Sequence, residues 1–172
     1  MKHLEIENKY ILSYNKALKF VKSLPSYKVY KIEQSYLSNE ANKTKRVRKI
    51  DNKYILTIKK GEGRIKEERE KYISKKRYKK LKKRKIGHTI KKRRYLFKLG
   101  SFTYELDIFR GSLKGLAYLE IEFKNAKQMK KFTLPKRVKK IVKKDVSGDK
   151  RYSNAFLATN IKNLVDLFDK PS

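Results

Sequence analysis

The sequence predicts a chain of α+β class that is mainly β, with antiparallel strands closed into a barrel or stacked as a sandwich. Two observations carry this. About eight stretches have strand character and turn signals between them, while helices are few and late, so alternating βα units are absent. Most of those stretches also place charged residues two apart around an apolar one, which puts the charge on one face of the strand.

The first strand, His3 to Ile11, sets the pattern: Glu5, Glu7 and Lys9 share one face and Leu4 and Ile6 the other. Ser13 then opens a helix with Ala17, Leu18, Val21 and Leu24 at helical spacing, stopped by Pro25. Strands follow at about Tyr27 to Leu37, Lys45 to Ile50 and Lys53 to Lys60, with Asp51-Asn52 as a hairpin turn. After Gly61-Glu62-Gly63 a strand runs to about Ile73. Residues 74 to 85 read as a helix opened by Ser74 and ended by Gly87. Strands resume at Thr89 to Leu99, Phe102 to Phe109 and Leu116 to Phe123, the first two joined by a turn at Gly100-Ser101. A short helix from Asn125 to Met129, a basic stretch from Pro135 and a final helix from Asn160 complete the chain. Ile161, Leu164, Val165 and Phe168 form that last helix's apolar stripe.

At 172 residues, 38% of them hydrophobic, the chain reads as one globular domain spanning 1–172. It has no cysteine, which excludes a disulfide framework, a thiolate metal site and a cysteine nucleophile. Its two histidines are far apart, so a metal here would be a hard cation held by carboxylates. No apolar run is long enough to span a bilayer and no signal-peptide pattern opens the chain, so the expectation is a cytoplasmic protein with no membrane role. A net charge of +32, from 49 Lys+Arg against 17 Asp+Glu, would attract phosphate-rich partners of any kind.

The charged rows are more informative than the total. They include Glu5-Ile6-Glu7, Arg46-Val47-Arg48, Thr57-Ile58-Lys59, Glu105-Leu106-Asp107 and Glu120-Ile121-Glu122; Glu68-Arg69-Glu70 and Lys92-Arg93-Arg94 share the spacing. Any single row fits a strand with one wet face. Together they argue for more, because the scarce acids concentrate in them and the rows sort into acidic and basic sets. A closed sheet lined this way is a site for a metal-chelated polyanion: carboxylates for Mg²⁺ or Mn²⁺, Arg and Lys for phosphate oxygens. Ile6, Val47, Ile58, Leu106 and Ile121 would then face outward beneath the helices.

Assembled in order, these residues resemble the CYTH-domain proteins of the triphosphate tunnel metalloenzyme family. The resemblance starts at Glu5-Ile6-Glu7-Asn8-Lys9 and continues through Gln34 to Leu37, Arg46 to Arg48, Leu56 to Lys59, Lys66 to Glu70, Lys92 to Tyr95, Glu105 to Asp107, Leu119 to Glu122 and Asp149 to Asn154. It implies a closed eight-stranded antiparallel tunnel with helices packed outside, binding a triphosphate with a divalent metal. By position, Glu5, Glu7, Glu120 and Glu122 match the main metal carboxylates, with Glu68, Glu70 and Asp107 as lining acids nearby. Lys9, Arg46, Arg48, Lys59, Lys92, Arg94, Lys150 and Arg151 match the phosphate grip, and Tyr36 and Lys92 positions that activate the attacking water. The pattern is closest to small bacterial inorganic tripolyphosphatases.

The phosphate grip is shared with nucleoside and thiamine triphosphatases and with class IV-type adenylate cyclases, so the organic half of a substrate stays open. The competing reading from another class is a basic RNA- or polyphosphate-binding module. It would use residues 75–94, which hold 13 Lys+Arg and no acid, as an electrostatic arm. Paired acids on strands speak against that module as the whole function. His3 and His88 read as partly exposed strand residues, Lys16, Lys19 and Lys22 as a solvated helix face, and the chain as a monomer or homodimer.

Overall fold

The computed structural model describes residues 2–164. Nine strands, β1 (Lys2–Leu12), β2 (Lys28–Glu40), β3 (Lys43–Ile50), β4 (Lys53–Lys60), β5 (Ile65–Tyr72), β6 (Ile86–Leu99), β7 (Phe102–Arg110), β8 (Ala117–Glu122) and β9 (Val142–Asp145), form one antiparallel sheet. Its order is β5-β4-β3-β2-β6-β7-β8-β1-β9, and a further β5–β1 pairing closes the first eight strands into a barrel.

β1 is the closing stave. Its first half, Lys2 to Ile6, pairs with β5, while Glu7 to Leu12 pairs with β8. Beyond the reach of β5, residues Tyr10 to Leu12 take β9 as partner on that side. From Glu7 onward the strand has β8 on one side and then β9 on the other.

Five helices decorate the barrel: α1 (Tyr14–Lys22), α2 (Lys75–Lys82), α3 (Ala126–Lys131), α4 (Lys136–Lys139) and α5 (Asn154–Thr159). The outward side chains Ile6, Leu106 and Ile121 pack under α1 and α4, with Ala17, Phe20, Val21 and Val138 facing them. Fully burying each such side chain contributes roughly 1.5–3 kcal/mol. Val47 is also buried and Ile58 half-buried. On the α1 stripe, Phe20 takes the buried place expected of Leu18, which is half-buried. α2 is opened by Ser74, whose side chain accepts from the Arg77 amide. α2 buries one residue, Tyr78, whose ring lies 4.9 Å from that of Tyr54 on β4. α3 starts where its sequence does: Asn125 Oδ1 accepts from the Gln128 amide at 2.8 Å.

A second core fills one end of the barrel. Ile11, Tyr36, Ile90, Phe109 and Tyr118 meet Ala155, Leu157 and Ala158 of α5 there. This apolar plug makes the tunnel a cup. Gly87 is what lets α5 sit down: its φ is +63°, and a Cβ at that position would land on the Ala158 carbonyl.

Several expectations are corrected. Gly87 does not end α2 but lies within β6, which begins three residues earlier than expected. α5 and β9 were not foreseen. The helix from Asn160 is a single 3₁₀ turn, Ile161–Asn163, followed by buried Leu164; Val165 and Phe168 lie outside the described residues.

Candidate active site

The inward faces of the eight barrel strands enclose a cavity of about 500 Å³. The rows read from the sequence converge on it: Glu5, Glu7 and Lys9 from β1, Arg46 and Arg48 from β3, Lys59 from β4, Glu68 and Glu70 from β5, Lys92 and Arg94 from β6, and Glu120 and Glu122 from β8. Tyr36 joins them from β2. Lys43 and Lys150 stand among the lining residues as well, with Asn39 to Thr44 of the β2–β3 turn.

Strand register decides which charges meet. Lys59 faces Glu68 across β4–β5, and Lys9 faces Glu120 across β1–β8. Lys59 Nζ lies 2.7 Å from Glu5 and 3.3 Å from Glu68. Arg48 lies 2.7 Å from Glu70, and Lys9 3.5 Å from Glu120. Arg94 is the hub of the opposite wall, 2.7 Å from Glu105 and 3.7 Å from Glu120.

Asp107 sits behind the wall and not in the cavity. It is fully buried, and both its oxygens are used: Lys92 donates at 2.6 Å, while the Arg94 Nε and Nη2 donate at 2.8 and 2.9 Å. Asn154 of α5 accepts a second bond from Lys92 at 3.3 Å. The pair therefore aims two cations at the cavity. Asp107 was expected to line the tunnel beside Glu68 and Glu70; it stands behind the lining as the partner of Lys92 and Arg94 instead. Arg151 is likewise not brought in. It is exposed and forks onto Asp149 at 2.6 Å on the 3₁₀ turn Lys150–Tyr152. Lys150 reaches the cavity lining beside the β2–β3 turn, where it bridges the Ala41 carbonyl at 2.7 Å and Glu62 at 2.6 Å.

Several contributors were given no role in the site from the sequence. Lys66 continues the Glu68, Glu70 row, and Glu105 the Asp107 row; alternation alone would have found both. His3 extends the β1 row and lies 3.5 Å from Glu68. Asn154 ends the Asp149 to Asn154 block of the resemblance but was given no role, because a six-residue helix carries no period to show which way it faces.

Electrostatically the cavity holds two opposite deficits. Burial and the neighbouring Glu120 charge push the Glu7 carboxyl up to about 8. Glu122 is raised by burial and then by Glu5 and Glu105, and Glu105 is raised by burial against the pull of Arg94. Conversely, burial and the adjacent Arg46 and Arg94 charges lower Arg48 to about 10. Burial lowers Lys92 to about 8 despite Asp107, with Arg94 adding to the fall. Elsewhere pairing wins: burial would raise Glu120, but Lys9, Arg94 and Lys92 hold it well below the usual carboxylate range. One group of carboxylates thus lacks positive charge and one group of cations lacks negative charge.

The acidic donors on the lining, Glu5, Glu7, Glu120 and Glu122 with Glu68 and Glu70, are carboxylates, which fits a hard cation. Among the described residues no three acids stand close enough together to form a ready-made cage.

A closed eight-stranded antiparallel barrel with paired opposite charges inside and a plug at one end defines a tunnel-type β-barrel with an ionic interior. The CYTH domain matches residues 3–153, and the chain belongs to that family. It is 32% identical over 169 residues to the inorganic triphosphatase of Acetivibrio thermocellus, spanning 91% of this chain and 94% of that one. To the inorganic triphosphatase of Nitrosomonas europaea it is 30% identical over 132 residues, 76% of this chain and 85% of that one. The crystal structure of an inorganic triphosphatase superposes with a TM-score of 0.61 at 27% identity, over 90% of this chain and 94% of the other.

Proposed function

We propose that this protein is a metal-dependent triphosphatase of the cytoplasm that hydrolyses inorganic tripolyphosphate to pyrophosphate and phosphate. The observation that carries the reading is the presence of both charge deficits in one cup. Glu7, Glu105 and Glu122 want a cation and Arg48 and Lys92 want an anion, and a triphosphate bound with a divalent ion supplies both. The two relatives named inorganic triphosphatase support it. Of the lining residues only Tyr36 and Phe156 are aromatic, which leaves little surface to stack a base and favours the inorganic substrate over nucleoside or thiamine triphosphates.

In this reading Glu5, Glu7, Glu120 and Glu122 hold Mg²⁺ or Mn²⁺, with Glu68 and Glu70 nearby. When bound, such an ion withdraws charge from the phosphoryl oxygens. Lys9, Arg46, Arg48, Lys59, Lys92 and Arg94 grip the phosphates and neutralise charge that develops as the anhydride opens. Lys150 adds a cation beside the β2–β3 turn. Tyr36, whose hydroxyl accepts from Gln34 Nε2 at 3.3 Å, lines the cavity and orients the attacking water. Lys92, which burial lowers to about 8, would in its neutral form take that water's proton as its oxygen bonds to phosphorus and pyrophosphate leaves, and the ammonium so formed then meets the phosphate charge. Asp107 and Asn154 hold Lys92 in place.

The test is a panel of tripolyphosphate, ATP and thiamine triphosphate with Mg²⁺ or Mn²⁺. Phosphate release from tripolyphosphate is expected, lost in Glu5→Ala and in Glu122→Ala and lost on chelation. No turnover of any triphosphate with either metal would overturn the reading.

A further inference from the structure

The outer wall of the barrel carries a second cationic surface, separate from the cup. Along β6, Lys92 and Arg94 point inward, so Lys91, Arg93 and Tyr95 point out. Arg93 lies directly across from Lys31 on β2, and Lys91 lies across from Arg110 on β7 and from Glu33 on β2, the carboxylate that pairs with Lys82. Between this wall and α1 runs a groove of about 270 Å³, lined by Tyr14, Leu18, Arg93, Tyr95, Arg110 and Lys114 among others, with no carboxylate. Tyr27, 43% exposed, sets its ring edge-on to Tyr95 at 5.5 Å. Arg93, Arg110 and Lys114 make no ion pair with any described residue. α2 lies over β2, β3 and β4, so its exposed lysines extend the positive surface roughly 15 Å further, three inter-strand spacings.

We propose that this outer wall binds single-stranded nucleic acid, with Lys31, Arg93, Arg110 and Lys114 on phosphates and Tyr27 and Tyr95 offering ring surface to bases. The interleaving of aromatics with cations selects the ligand. A polyanion without bases, such as long-chain polyphosphate, would use the cations and gain nothing from the rings. A base has a face that stacks on tyrosine and a backbone that needs the cations. A duplex hides its base faces and presents too broad a surface for a groove of this size. The site is sequence-tolerant by its chemistry, since it offers stacking and charge and no ordered set of base-edge contacts.

The test is fluorescence anisotropy of labelled oligouridylate and oligoadenylate titrated with the full chain at several salt concentrations, without divalent metal. Affinity should fall steeply with salt. Arg93→Gln with Arg110→Gln should weaken binding at least about tenfold and reduce the log–log salt slope by about 2. Tyr27→Ala should weaken it about five- to tenfold with the salt slope unchanged. Arg48→Gln, inside the barrel, should leave binding as it is. Each variant's circular dichroism is compared with the parent, and Tyr27→Ala, at a half-exposed position, provides an independent arm should the double variant unfold. The proposal is overturned if the outer-wall variants bind like the parent, or if Arg48→Gln abolishes binding, which would place the strand in the cup. It is also overturned if polyphosphate binds as tightly and Tyr27→Ala has no effect, which would leave charge alone.

Discussion

The inside and the outside of this barrel use the same residue types to opposite ends. Around the cup, Lys9, Lys43, Arg46, Arg48, Lys59, Lys66, Lys92, Arg94 and Lys150 stand against Glu5, Glu7, Glu40, Glu68, Glu70, Glu105, Glu120 and Glu122, with Asp107 just behind. The two signs nearly cancel there, although the chain as a whole carries +32. The surplus therefore belongs to residues that do not line the cavity. On α2 the sequence KKRYKKLK has no acid, and Lys82 pairs with Glu33 of β2. Inside, each charge is fixed by strand register and its loss leaves a buried partner exposed to low dielectric. Outside, water and salt do the solvating. Position, and not number, makes a lysine functional here.

The sharpest way to break that contrast is to remove the anion that serves two interior cations. Asp107→Ala strands Lys92 and Arg94 in a wall where Asp107 and Lys92 are almost fully buried. The expected loss is about 3–5 kcal/mol in urea denaturation, as for other broken buried pairs. Tripolyphosphate should restore part of it, about 2.7 kcal/mol at a hundredfold excess over its Kd. A loss under about 1 kcal/mol would mean that these charges are solvated like the outer ones.

The plug gives the next largest effect. Gly87→Ala must either shift β6 or lift α5, because the new Cβ meets the Ala158 backbone and the φ of +63° disfavours any side chain. About 2–3 kcal/mol should be lost. If α5 lifts, Asn154 leaves Lys92 and turnover falls with stability. Unchanged turnover with reduced stability would separate the plug from the catalytic geometry.

How much of this could be read in advance follows from what a sequence encodes locally. The row Glu5, Glu7, Lys9 and its counterparts were legible because period two fixes the face of every residue on a strand. Which charges neutralise one another was not, since Lys59 meets Glu5 only through a closure 54 residues away. Asp107 shows the cost: that it stands behind the lining as the partner of two cations follows only from register. Lys150 and Arg151 are neighbours on a 3₁₀ turn, and one reaches the cavity lining while the other turns onto Asp149. The four residues of β9 and six of α5 are too short to carry a period, and long-range partners hold both.

A third test compares the ionic interior with the apolar layer outside it. Tyr104 is fully buried in that layer and its hydroxyl has no hydrogen-bond partner among the described residues. Burial pushes its phenol up to about 12, as it does for Tyr78 under α2. A raised folded-state value favours the neutral form, so this stability is complete below pH 10 and is lost as pH climbs through 12. Alkaline unfolding followed by circular dichroism should track tyrosinate absorbance, and Tyr104→Phe should move its midpoint upward. No movement would assign the alkaline transition to other groups, the buried Tyr78 and Tyr118 among them.

The smallest effect tests whether the outer charges matter to the fold at all. α2 has no acid in its first turn, where the helix dipole favours one, and its Lys75–Lys79 and Lys76–Lys80 pairs set like charges four residues apart. Lys75→Glu places a carboxylate at the positive end of the helix and converts one repulsive spacing into an attractive one. A gain of about 0.5–1 kcal/mol is expected at low ionic strength, shrinking as salt is added. Tripolyphosphate hydrolysis should not change, because α2 contributes nothing to the cup lining. If Lys75→Glu instead impaired hydrolysis at low salt and salt restored it, the outer field would be steering the substrate to the cup. The two surfaces would then act in sequence on one anion.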